Sequence, residues 1–198
     1  MYHPRTPNYT KKDPVMRWNL PDRVFFACGA CHILAWAFID RFPALEPKAI
    51  WIRPDGGEAA NHIFVSVGAR AFDYHGFMTT ASLLGHFRKL ALRKFPDWNS
   101  SLVELPPEVL VSERLSRNWP GLWLRQPGQF LHDALPRARA FLDRMGLVSG
   151  MDTHVTDTFP HQQEFKEDRA DEPTGSLSRI RWCAAGPARE RAGRPDQG

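Results

Sequence analysis

The spacing of apolar residues changes period several times along the chain, and each change predicts an element. Cys31, Leu34, Ala35 and Phe38 fall at i, i+3, i+4 and i+7, one face of a helix. Ile33, Trp36 and Ile39 make the other faces apolar as well, so the helix predicted over 30–41 is buried on most sides and stops before Pro43. Upstream, Val24, Phe25 and Phe26 read as a short β-prone run. It leads into the small-residue corner Ala27-Cys28-Gly29-Ala30. Residues 49–53 are nearly continuously apolar, as in a buried strand, and are closed by the turn signal Pro54-Asp55-Gly56-Gly57.

The next two β-rich runs, 62–67 and 70–74, are separated by Gly68-Ala69, which predicts a hairpin with a two-residue type II′ turn. That register pairs Val67 with Arg70, Phe64 with Asp73 and His62 with His75. It also puts His62, Phe64 and Asp73 on one face. A slip of one residue would separate them. Thr79 or Thr80 caps a helix running to Lys94, with Leu83, Phe87 and Leu90 as its apolar stripe. Residues 101–105 suggest another strand, followed by a turn at Pro106-Pro107. A last helix lies within 127–146, strongest over 136–145 with Pro136 in its first turn. These elements predict an α+β fold, with the main helix packed on an antiparallel sheet.

The ends differ in composition from this middle. Residues 1–21 are polar with four prolines and read as an extended arm, in which Met16, Trp18 and Leu20 alternate like a short edge segment. Beyond Gly150 aliphatic residues thin out, and an acidic run over 164–172 precedes a stretch rich in Arg, Gly, Pro and Ala. Residues 151–198 therefore read as a largely disordered tail, leaving 22–150 as the folded domain. With 198 residues, 42% of them hydrophobic, one core of ordinary size is expected. The net charge of +4 comes from basic residues scattered along the chain, so no nucleic-acid partner is expected. The start of the chain lacks the apolar core of a signal peptide, and no stretch has membrane-spanning length, which predicts a cytoplasmic protein with no membrane partner. The three cysteines, Cys28, Cys31 and Cys183, do not describe a disulfide scaffold.

Cys31 is where chemistry is expected. A cysteine in the first turn of a helix, just past a glycine corner, lies among unpaired N–H groups and the positive dipole end, which favour the nucleophilic thiolate. His62 opens a strand and Asp73 lies diagonally across the hairpin, within reach of a His–carboxylate hydrogen bond. A thiol that attacks a carbonyl needs an imidazole to carry its proton and a carboxylate to hold that imidazole. His32 and His75 are alternative bases, ranked as surface or supporting groups, and Asn61 and Tyr74 flank the proposed site.

The patterns G-x-C-H-x-L-A-x-A-F from Gly29, H-x-F-V-x-V from His62 and F-D-x-x-G from Phe72 resemble the papain-like superfamily. The branch they resemble includes transglutaminase-like proteins and compact bacterial Cys-His-Asp hydrolases. The resemblance covers about residues 23 to 77. It implies Cys31 as nucleophile, His62 as base and Asp73 as orienting acid. It further implies a hydrolase or acyl-transferase that works on an amide or ester, without cofactor, on a protein or peptide substrate. Papain-type enzymes also place a glutamine shortly before the cysteine as a second oxyanion donor. This chain has none there, and Asn19 is the nearest amide.

Rival readings use the same residues. Cys28-Gly-Ala-Cys31-His32 matches the c-type haem attachment pattern and, as strand–CGAC–helix, a thioredoxin-like redox pair. Cys28 and Cys31 with His62 or His32 suggest a zinc site. Cys28 is otherwise a buried corner residue. A catalytically inactive binding module of the same fold is the remaining alternative.

Overall fold

A computed structural model of the protein describes residues 13–56 and 60–146. The expected disordered tail, Cys183 and the first part of the expected arm lie outside the described residues.

Five strands form one antiparallel sheet in the order β4-β3-β2-β1-β5. They are β1 (Lys48–Pro54), β2 (His62–Val67), β3 (Arg70–Asp73), β4 (Gly76–Thr79) and β5 (Ser100–Leu105). The main helix, α3 (Cys31–Arg41), lies on one face, and α4 (Thr80–Leu92) lies on the other. Alternate residues of the central strands feed two cores. Ala49, Trp51, Ile63, Val65 and Phe72 pack toward α3, while Ile52, Phe64 and Ala71 pack with Leu83 and Phe87 of α4. Burial on both faces is why β1 and the start of β2 read as apolar runs rather than as an alternation. Phe38 of α3 stacks on Phe72 with ring centroids 4.5 Å apart. A fully buried side chain of this kind stabilises by about 1.5–3 kcal/mol relative to leaving it in water.

The hairpin has the predicted register, with Val67 opposite Arg70 and Val65 opposite Phe72. Gly68 takes a φ of +55° while Ala69 keeps a negative φ, a combination that suits a turn with glycine in its first central position. The predicted start of α4 also stands: Thr79 accepts a hydrogen bond from the Ser82 N–H at 3.2 Å. Strand β4 was not anticipated. It pairs with β3 from Asp73 opposite Gly76 to Arg70 opposite Thr79, and its four residues offer too short a pattern to recognise.

Two expectations near the N-terminus are corrected. Val24, Phe25 and Phe26 lie in a helix, α2 (Asp22–Ala27), not in a β-like run. All three are buried, and such burial suits either backbone. Pro21 before the first turn and Asp22 within it tip the choice to helix. Likewise residues 14–18 are not extended. They form α1 (Pro14–Trp18), because the Asp13 carboxylate accepts from the Val15 and Met16 N–H groups at 2.9 Å and Pro14 occupies the first helical position. Trp18 and Leu20 pack against the core, and Met16 faces solvent.

After β5 a 3₁₀ turn over Pro107–Val111, rather than a simple turn, leads into α5 (Glu113–Ser116). The chain then runs irregularly to α6 (Ala134–Arg144), in which Pro136 occupies the first turn as predicted. Arg137 of α6 clamps the N-terminal segment: it binds Asp22 at 2.7 Å and the Trp18 and Leu20 carbonyls at 2.5 Å, over the face of Phe25. Among the described residues no helix is long and apolar enough to cross a membrane.

Candidate active site

Helix α2 ends at Cys28, and only Gly29 and Ala30 separate it from α3. Gly29 has a φ of +105°, a conformation that glycine adopts without penalty, and this permits so tight a corner. Cys31 is the first residue of α3, behind an Ala30 that supplies no side-chain cap. The N–H groups of Ile33 and Leu34 reach the Ala30 carbonyl. Those of Cys31 and His32 have no acceptor within the helix. The sulfur thus lies at an uncapped positive helix end.

His62 opens β2 and Asp73 closes β3. His62 Nε2 and Asp73 Oδ2 are 3.0 Å apart, with both side chains almost fully buried. A carboxylate only accepts, so Nε2 carries the hydrogen and Nδ1 is left for the Cys31 sulfur. The His62 ring lies near enough to that sulfur for each to shift the other's titration. Phe87 of α4 stacks on the ring at 4.4 Å between centroids, and Tyr74 meets it edge-on at 5.6 Å. These aromatic walls keep water from competing for the His62–Asp73 bond.

The three groups shift one another. Burial pushes the Cys31 thiol up, yet hydrogen bonds to His32 and His62, aided by the charge of both rings, bring it down from 9.0 to about 5. Burial pulls His62 down, and the bonds to Asp73 and Cys31 and their charges raise it from 6.5 to about 9. Burial pushes Asp73 up, but the bonds from His62 and His75 hold it far below the usual carboxylate range. The favoured state near neutrality is therefore thiolate–imidazolium–carboxylate.

Of the two ranks given to His32 and His75 from the sequence, surface or supporting, the structure gives both the supporting one. His32 is buried and donates from Nε2 to the Arg125 carbonyl at 2.9 Å, and its ring helps to lower the Cys31 thiol. His75 Nδ1 lies 2.9 Å from Asp73 Oδ1. The carbonyl that holds His32 belongs to the irregular segment after α5. Glu113 pins that segment, accepting from Trp123 Nε1 at 3.0 Å, from Gln129 Nε2 at 2.5 Å and from Arg117. Ser116 Oγ accepts the Leu124 N–H at 3.0 Å.

The fold thus brings together all three residues singled out from the sequence, Cys31, His62 and Asp73. Asn19 is exposed at the end of α1. Tyr74 is buried against His62, and Asn61 is half-buried beside it. Sequence reasoning missed two contributors, Phe87 and the Arg125 carbonyl. Phe87 was visible as part of a helical stripe, but nothing in the chain reveals that this stripe faces His62. The Arg125 contact carries no sequence signal, since any residue has a carbonyl.

The space behind the thiol, between Leu34, Ala35, Ile63, Phe72 and Tyr74, has no room for a water molecule. Cys31 itself is only partly buried. Cys28 is buried at the end of α2. Among the described residues no three His, Cys, Asp or Glu side chains are grouped to hold a metal, so the zinc set of Cys28, Cys31 and His62 or His32 is not assembled. Comparison with known proteins adds no family to this geometry: no family model matches the chain, no curated protein matches its sequence, and no solved structure significantly matches its fold.

Proposed function

We propose that this protein is a thiol-dependent hydrolase or acyl-transferase with a papain-like, transglutaminase-like fold, acting on an amide or ester of a protein or peptide. The observation that supports this most is the buried His62–Asp73 hydrogen bond at 3.0 Å, with Cys31 near enough to His62 for its thiol to be lowered to about 5. The topology is consistent with it, since the sulfur opens the main helix while the base and acid stand on neighbouring strands of an antiparallel sheet.

In this reading the Cys31 thiolate attacks the substrate carbonyl and forms a C–S bond. The carbonyl oxygen becomes an oxyanion, met by the uncapped N–H groups at the start of α3. The intermediate collapses, breaking the bond to the amine or alcohol, and the His62 imidazolium gives that leaving group its proton. Neutral His62 then takes a proton from water, or from an acceptor amine, as it attacks the thioester; the C–S bond breaks and Cys31 leaves as thiolate, which restores the starting ion pair. Asp73 keeps the imidazole in one tautomer and stabilises its charge. Water as acceptor gives a hydrolase; an amine gives a transglutaminase.

Reaction with p-nitrophenyl acetate, followed by peptide mapping, tests this. The acetyl group should be found on Cys31, and acetylation should slow by at least about 100-fold in His62→Ala. Cys28→Ser should react nearly as the wild type does. Damage by Cys28→Ser as severe as that by Cys31→Ser would overturn the reading in favour of a redox pair.

A further inference from the structure

We propose that His75 is a positioning residue of this site, one that holds the Asp73 carboxylate in place for His62 and extends the line to Cys31–His62–Asp73–His75. The proposal rests on the catalytic reading above. Asp73 ends β3 and pairs with Gly76 at the start of β4, so Tyr74 and His75 form the tip of a tight turn. Asp73 Oδ1 accepts the His75 backbone N–H at 2.8 Å, a local bond that is sufficient for the turn itself. The His75 ring does more than the turn requires. Its Nδ1 approaches the same carboxylate, at 2.9 Å from Oδ1 and 3.2 Å from Oδ2. A carboxylate only accepts, so Nδ1 is the donor and the tautomer is fixed.

Both carboxylate oxygens are thereby engaged, Oδ2 by His62 and Oδ1 by His75. Rotation of the carboxylate away from His62 would break bonds on both sides. The side chains of His75 and Asp73 are only 5% and 2% exposed, so water is poorly placed to take over the ring's bond. The ring is itself held, against Tyr74 at 4.0 Å and edge-on to His86 of α4 at 5.3 Å. The titratable groups around Asp73 are thus His62, Tyr74, His75 and, beyond them, His86 and Cys31.

The test is the pH profile of Cys31 alkylation by iodoacetamide in His75→Ala, His75→Asn and His75→Gln, beside wild type and His62→Ala. Asn places an N–H near Nδ1, whereas Gln reaches toward the Nε2 position instead. His75→Ala should move the alkylation midpoint up by about one pH unit, a rate loss of about tenfold on the acid limb, as expected for one charge-assisted bond. Asn should recover most of that loss and Gln little of it. A wild-type midpoint in His75→Ala, or equal midpoints in the Asn and Gln variants, overturns the proposal. If His75→Ala does not fold, the Asn–Gln comparison decides alone. If wild-type Cys31 reacts no faster than in His62→Ala, the catalytic reading falls and this one with it; if that difference holds but is indifferent to His75, only the His75 assignment falls.

Discussion

At the scale of single residues, the site is a contest between burial and hydrogen bonding. Burial is the largest influence on Cys31, His62 and Asp73 alike, and in each it disfavours the charged form. Each nevertheless favours its charged form, because its neighbours' charges and hydrogen bonds together outweigh the desolvation. The members are therefore coupled: removing one leaves a buried charge without its partner, and the effects of single removals do not add. The residue types were legible in the sequence, since a thiol at a helix start, a histidine opening a strand and an aspartate on the paired strand each answer a chemical need. For the two supporting histidines the sequence leaves the choice between surface and supporting roles open. His32 follows Cys31 directly and His75 follows Asp73 by two, yet only the fold turns the one toward Arg125 and the other toward Asp73.

At the scale of elements, the His62–Asp73 bond depends on one turn. With Gly68 and Ala69 at the tip, both residues fall on the same face; a one-residue slip would put them on opposite faces. Gly68 has a φ of +55°, and a Cβ built there meets nothing within 4 Å, so a side chain would be penalised by the backbone alone. Gly68→Val should lower stability by about 1–2 kcal/mol in urea unfolding; no change would mean that the turn does not need its glycine. This hairpin, the main helix, β1 and α4 were legible because period, cap and turn residues agree within each. Helices α1 and α2 were misread for opposite reasons. In α1 the Asp13-Pro14 start signal is masked by the prolines around it, whereas Val24-Phe25-Phe26 is too short to show a period and its neighbours decide the outcome. Strand β4 and the segment after α5 are held by partners distant in sequence or by single side chains such as Glu113, which no local pattern displays.

At the scale of the whole molecule, the sheet is sandwiched between α3 and α4, and the site lies where the start of α3 meets the ends of β2 and β3. Its charges couple folding to pH. His62 has its pKa raised from 6.5 to about 9, so the stability it contributes is complete below 6.5 and is lost as pH rises through 9. Cys31 has its pKa lowered from 9.0 to about 5, so its contribution is complete above 9 and is lost as pH falls through 5. Between 6.5 and 9 the two slopes cancel, because folded and unfolded chains bind the same number of protons at this pair. Below 6.5 the unfolded chain binds one more, and stability should fall by about 2 kcal/mol on reaching pH 5. That window lies above the ordinary carboxylate range, and comparison with Cys31→Ala separates the thiolate from the histidines of the chain. Urea unfolding should be level from pH 7 to 8.5 and drop between 6.5 and 5, with the drop absent in Cys31→Ala. Constant wild-type stability down to pH 5 would mean that the buried thiolate does not form.

The measurement that bears most directly on the central claim is the rate of iodoacetamide alkylation of Cys31 against pH, resolved from Cys28 by peptide mapping, in wild type and His62→Ala. A thiolate paired with imidazolium should alkylate with a midpoint near the value of about 5 held by the folded site. In His62→Ala the midpoint should climb toward the free-thiol value of about 8.5. A Cys31 that reacts no sooner than a free thiol, or that is indifferent to His62, would contradict the account.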